Sequence, residues 1–192
     1  IAAIAQKNLK RLLAYSSIGH VGYVLIALVS ASDQGLKSAA IYMFIYLVMN
    51  IAVFSILLSL KKSDVYVEKI NSLSGLSKSN PVISASLAII MLSMAGIPPF
   101  MGFFGKLYVF IAAIESQLYI LAVLGVLASV ISAFYYLRII KGMYFDEPAD
   151  NEVFEFTISS ESKVILLILM ISITFFILYP SLLTNVVSSI SL

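Results

Sequence analysis

The sequence has no cysteine, a single histidine and few charges, with only 11% of its residues Asp, Glu, Lys or Arg. Without thiols the chain forms no disulfide, builds no thiolate metal site and ligates no iron–sulfur cluster through cysteine. A net charge of +2, with no dense Lys/Arg tract, gives no sign of a nucleic-acid surface. The apolar IAAIA at residues 1–5 does not read as a secretory signal, because cations follow it and no cleavage site comes after it. The chain starts at Ile1 without an initiator Met, inside an apolar stretch too short to span. It reads as a fragment, or as the C-terminal part of a longer membrane protein. No internal repeat is visible.

What is present in excess is apolar surface. The residues are 61% hydrophobic and the mean hydropathy is +1.04, against about half apolar and a quarter charged in ordinary globular chains. Runs this rich in Leu, Ile and Ala read as membrane helices and not as alternating barrel strands. The fold class expected is an all-α, polytopic transmembrane bundle forming a single membrane domain over 1–192, with apolar spans at about 12–31, 39–60, 82–115, 118–140 and 164–187. The third is too long for one simple crossing, since at 1.5 Å per residue it would reach about 51 Å against a hydrocarbon core of about 30 Å. Gly96, Pro98 and Pro99 interrupt it. It is therefore either two helices or one discontinuous helix, whose unwound middle is tolerated at depth only inside protein or beside a watery cavity.

Loop charges choose between these. With one broken helix, Lys7, Lys10, Arg11, Lys61, Lys62, Lys69, Lys78, Arg138, Lys141 and Lys163 fall on one side of the membrane and only Lys37 on the other. That ten-to-one bias is a strong positive-inside signal, whereas two separate helices would leave seven against four. About five spans are expected, the third broken at Gly96–Pro99, with 1–11, 61–81 and 141–163 cytoplasmic. The segments 61–81 and 141–163 read as wet connectors, the second acidic enough to meet a partner subunit.

Polar residues at depth carry the functional signal. Lys106 is nine residues, about 14 Å along a helix, from Glu115, too deep for its stem to snorkel. His20 lies at similar depth beyond Arg11, and Asn50 lies near the midplane before Lys61. Ser16, His20 and Tyr23 share one helix face by spacing; so do Tyr42, Tyr46 and Asn50, and so do Gly125, Ser129, Ser132 and Tyr136. Such stripes can serve only as interhelical glue, and a lone histidine can be a satisfied core residue. An intramembrane lysine is costlier and points to function. Leaving water disfavours a lysine's charged form. A group able to hold and release a proton, set beside a histidine, hydroxyls and water, describes a proton relay, with the break supplying a hinge and free carbonyls.

Three stretches, QKNLKRLLAYSSIGHVGYVLIAL (6–28), MLSMAGIPPFMGFFGKLYVF (91–110) and YYLRIIKGMYFDEP (135–148), closely resemble the antiporter-like membrane subunits of respiratory complex I, NADH-quinone oxidoreductase. The resemblance covers nearly the whole chain and is best to the subunit N branch, called subunit 2 in mitochondria. It implies the C-terminal part of such a subunit, with the first of two inverted repeats absent. By the resemblance, Lys106 stands where the family carries its central ionisable residue, in GFxGKxY, and His20 matches the histidine of YSSI-x-H-x-GY on the central polar axis.

The implied function is proton translocation through Lys106 and His20, coupled to NADH:quinone electron transfer in other subunits. Ser16, Tyr23, Tyr46, Asn50, Ser132 and Tyr136 would form the supporting polar axis, and Gly96, Pro98 and Pro99 the helix break. This chain would bind no cofactor or metal itself, NADH and quinone being used by the complex. Its partners would be the other membrane subunits and the lipid of a bacterial inner membrane. A secondary cation/proton antiporter subunit and a noncatalytic assembly fragment are the competing readings.

Overall fold

The computed structural model describes residues 2–62, 65–147, 154–156 and 160–178. Helix α1 runs Leu9–Val29 and α2 runs Asp33–Leu57. Each starts on a polar cap: the Asn8 side chain accepts from the Arg11 N–H, and the Ser32 hydroxyl from the Gly35 N–H, both at 3.1 Å. A compact polar-end segment follows, comprising strands β1 (Leu60–Lys62) and β2 (Val65–Tyr66), a 3-10 turn at Ile70–Leu73 and the short helix α3 (Leu76–Ser79). Helix α4 (Pro81–Ala95) opens with proline in its first turn, where no donor is missed, and α5 (Met101–Glu115) follows a five-residue break. Then come α6 (Tyr119–Phe145), β3 (Phe154–Phe156), α7 (Ser160–Phe175) and a 3-10 turn at Phe176–Leu178.

The helical bundle expected from hydropathy is present, and a small three-stranded antiparallel sheet, order β2-β1-β3, is added to it. The 61–81 stretch is therefore more than a wet connector: Val67, Ile70, Leu73 and Leu76 are buried. They recur every third residue, which turns them all inward on a chain of tight turns. Helix α6 continues past Lys141 to Phe145, shortening the second connector. Part of the fifth expected span, beyond 178, lies outside the described residues.

α1, α2 and α6 are long and apolar enough to cross a membrane. α4 and α5 have 15 residues each, about 22 Å apiece, and neither alone reaches across a core of about 30 Å. Leu12, Ile45, Met49, Leu87, Met91 and Ile139 pack at the bundle's centre, while Ile18 and Leu25 of α1 and Val123, Val130 and Phe134 of α6 stay exposed on its outside. In lipid, apolar contact releases no water, so close packing and interhelical hydrogen bonds hold such helices together.

One end of the bundle is tied by polar contacts. β1 pairs with both β2 and β3, Asn8 bridges to Lys69, Lys10 pairs with Glu68 at 3.1 Å, and the Arg138 guanidinium donates to the carbonyls of Ile4 and Gln6 at 2.7 Å each. At the other end, the Ser116 hydroxyl donates to the Ser30 carbonyl at 3.2 Å.

Candidate functional site: a lysine at a helix break

The break is written four residues ahead of itself. In an unbroken helix the carbonyls of Met94 and Ala95 would accept from the N–H groups of residues 98 and 99, but both are proline and have none. Helix α4 ends at Gly96, which takes the left-handed conformation at φ 86° and donates to the carbonyls of Leu92 and Ser93, while the Ile97 N–H also donates to Leu92. The chain re-enters helix at Met101. There Gly102 donates to the Ser93 hydroxyl at 3.0 Å, and a Cβ at Gly102 would collide with the Ser93 carbonyl. Helices α4 and α5 are thus held close where one ends and the next begins.

Lys106 turns back to the carbonyls that the prolines left open. Its Nζ donates to the Ala95 carbonyl at 2.8 Å, to the Met94 carbonyl at 3.1 Å and to the Ser129 hydroxyl of α6 at 2.8 Å, and it sits 5.0 Å from the centre of the Tyr23 ring. All of these partners are neutral. With only 4% of its surface exposed, the lysine is held by dipoles and a π face at the C-terminal, electronegative end of α4.

His20 forms the second centre. Its Nδ1 lies 2.8 Å from the Tyr42 hydroxyl and its Nε2 lies 3.0 Å from the Tyr136 hydroxyl, and that hydroxyl also bonds Ser16. A neutral imidazole donates from one nitrogen and accepts at the other, so one phenol accepts from the ring and the other donates to it. Tyr46 stacks on the imidazole at 4.5 Å between centroids. Tyr23 joins the centres: its ring is 6.2 Å from the His20 ring, edge-on, as well as over the ammonium, and its phenol faces Ser129 and Ser132. Hydrogen bonds and ring contacts therefore run from Ser16 through Tyr136, His20 and Tyr23 to Lys106 and Ser129, drawing on α1, α5 and α6, with Tyr42 and Tyr46 of α2 set against His20. A cleft of about 540 Å³ between α1 and α6 reaches Ser16, His20, Tyr23, Ser132 and Tyr135.

Of the residues expected on the polar axis, Ser16, Tyr23, Tyr46 and Tyr136 meet His20 or its partner. Asn50 instead donates to the Tyr46 carbonyl of its own helix at 3.1 Å, and the Ser132 hydroxyl donates to the Ser129 carbonyl at 2.7 Å. Ser129 and Tyr42, noted only as stripe members, make the direct contacts to Lys106 and His20. The signal for Met94 and Ala95 was available, because two prolines at i+4 mark which carbonyls a nearby cation will find. Among the described residues, no group of three or more His, Cys, Asp or Glu side chains gathers as a metal site would need.

The fold and this site define a helical, multi-pass membrane protein with an ionisable group held at a helix break. Residues 1–132 match the family described as NADH:quinone oxidoreductase/Mrp antiporter, TM. The chain belongs to that family. It is 50% identical over its whole length to NADH-quinone oxidoreductase subunit N of Pelagibacter ubique, covering 40% of that protein. Among solved structures it is similar to respiratory complex I from Thermus thermophilus (TM-score 0.81, 28% identity, 96% of this chain and 41% of that one). It is also similar to the archaeal membrane-bound sulfane sulfur reductase (TM-score 0.78, 30% identity, 97% of this chain and 37% of that one). The chain thus spans about two-fifths of the length of these relatives.

Proposed function

We propose that the chain is a proton-translocating membrane module of an NADH-quinone oxidoreductase, the C-terminal part of a longer subunit N-like protein, working in a bacterial inner membrane beside the complex's other membrane subunits. The observation that carries this reading is the Lys106 ammonium, enclosed by two carbonyls, a hydroxyl and a π face. A carboxylate partner would lock the proton in place, whereas neutral acceptors hold it without fixing it. The array through Tyr23 and His20 supplies neighbouring groups for a proton's passage. Redox chemistry, with NADH and quinone, belongs to other subunits.

A discontinuous third span is part of the proposal. It is supported by the shortness of α4 and α5 and by the pairing of β1 with β3, which requires 60–62 and 154–156 to share one side of the membrane. Two complete crossings around the break would place those strands on opposite sides, separated by a core of about 30 Å.

The test is proton uptake by sealed vesicles energised with NADH, normalised to assembled complex. Lys106→Met keeps most of the stem and removes the ammonium; Lys106→Arg keeps a charge that does not release its proton. Both are expected to assemble and to lose most proton uptake. Normal uptake by the Arg variant would overturn the titrating role, and normal uptake by the Met variant would remove Lys106 from the path. The family also includes Mrp antiporters; uptake driven by a sodium gradient with no response to NADH would favour that branch.

A further inference from the structure

Ser93 does not do what other serines in these helices do. Ser17, Ser55, Ser132 and Ser172 donate back to a carbonyl three or four residues earlier on their own helix. Ser93, fully buried in the last turn of α4, commits its hydroxyl to other helices. It donates to the Met49 thioether of α2 at 3.1 Å and accepts from the Gly102 N–H of α5 at 3.0 Å. A thioether is a weak acceptor, so the contact with Gly102 is the stronger.

The Gly102 N–H is one of the donors that the first turn of a helix leaves open. Phe100, at the capping position of α5, has no side-chain acceptor to offer it. Ser93 therefore supplies the cap from another helix, to the second helical residue, where a capping hydroxyl ordinarily bonds. Ser93 lies one and two residues before Met94 and Ala95, and Gly102 lies about one turn before Lys106. The cap and the lysine's hold on the two carbonyls thus tie the same two helices together, side by side. The two ties differ in kind. An uncharged amine has two donors for the three acceptors around it and no charge to strengthen them, whereas the Ser93 contact is neutral throughout. We propose that Ser93 is a positioning residue for Lys106: by capping α5 from α4, it keeps the Met94 and Ala95 carbonyls within reach of the lysine while the lysine is uncharged. This role rests on the proton exchange at Lys106 given above.

The test compares Ser93→Ala with wild type in the assembled complex. NADH-driven proton uptake by sealed vesicles should fall less than about twofold at about pH 6, where a charged lysine closes the gap itself. At about pH 9 it should fall roughly tenfold or more, the effect of a stranded buried N–H once nothing else holds the gap. The titratable groups set against Lys106 and its neighbours are His20 and Tyr23 of α1, Tyr42 and Tyr46 of α2, and Tyr135 and Tyr136 of α6. α4 has none, and α7 has only Glu161 and Lys163, in its first turn. All of these are the same in both proteins, so a ratio that changes with pH reports the lysine. A ratio constant across pH, as a cap serving only the fold would give, would overturn the proposal. Hydrogen exchange over residues 97–105 supplies a readout independent of transport. At about pH 6, Ser93→Ala should speed it roughly tenfold more in the Lys106→Met background than with the lysine in place, because only there are both ties lost. Equal acceleration in the two backgrounds would overturn the proposal even if uptake falls. Normal uptake by Lys106→Met would overturn the proton path itself, while unequal exchange would still support Ser93 and Lys106 closing one gap. Ser93→Cys, of similar volume and with a weakly accepting sulfur, should show the same pH trend in milder form and keeps the test decisive where the Ala variant does not assemble.

Discussion

Gly96→Ala tests whether the end of α4 and the position of Lys106 are one design. At φ 86° an L-residue pays about 1–2 kcal/mol for the left-handed conformation. The added Cβ would lie 2.8 Å from Lys106 Cδ and 3.0 Å from Nζ, so the side chain must withdraw. A retreat of about half an ångström carries Nζ beyond hydrogen-bond reach of the Met94 carbonyl, now at 3.1 Å. Losing one charge-assisted bond costs roughly 1.5–3 kcal/mol. The two effects together come to about 2.5–5 kcal/mol, the larger part falling on the lysine and its cage. NADH-driven proton uptake per assembled complex should drop at least about tenfold, because roughly 1.4 kcal/mol already corresponds to that factor. Gly96→Asn separates the contributions: asparagine tolerates the left-handed region but keeps the Cβ, so stability should partly recover while uptake stays low. Gly19→Ala is the control, as nothing lies within 4 Å of its added Cβ. Wild-type uptake and thermal stability in Gly96→Ala would refute the argument.

His20→Ala should reduce both stability and uptake, since it strands the Tyr42 hydroxyl at a cost of about 1–3 kcal/mol, while Tyr136 keeps Ser16. His20→Gln should restore assembly without restoring uptake, and full uptake by an assembled Gln variant would return His20 to a packing role. For topology, single cysteines replacing Ser74 and Lys163 should react with an impermeant thiol reagent from the same face of the membrane, and one replacing Glu115 from the opposite face. Labelling of positions 74 and 163 from opposite faces would reinstate two full crossings around the break.

Much of this was legible in the sequence because the governing terms are local. Hydropathy located the long helices, and the lone cation among apolar residues pointed to Lys106. The 3.6-residue period placed Ser16, His20 and Tyr23 on one face, and the structure brings all three into the array. What periodicity does not contain is rotation and register between helices. Nothing in the stripe Tyr42, Tyr46, Asn50 says that the first reaches His20 by its hydroxyl, the second by its ring, and the third turns back on its own backbone. The choice of Ser129 over Ser132 as the lysine's partner is likewise set by how α5 and α6 pack. The sheet was missed for a related reason: strands of two or three residues have no period to read, and β3 finds its partner more than ninety positions earlier in the chain.

That sheet has a mechanical consequence. β1 leaves α2 directly and β3 lies just ahead of α7, so their pairing from Leu60–Phe156 to Lys62–Phe154 fastens together helices remote in sequence. Arg138 of α6 grips the carbonyls of Ile4 and Gln6 just before α1, which adds two more helices to the same rim. A push delivered to any of these four is shared among them, as among spokes fixed to one hub. The compliant backbone lies elsewhere, in the five residues from Gly96 to Phe100 where the ladder of helical bonds is cut. Lys106 donates across that cut to the Ala95 and Met94 carbonyls, so the stretch of the bundle with the fewest ladder bonds is also the one spanned by its buried cation.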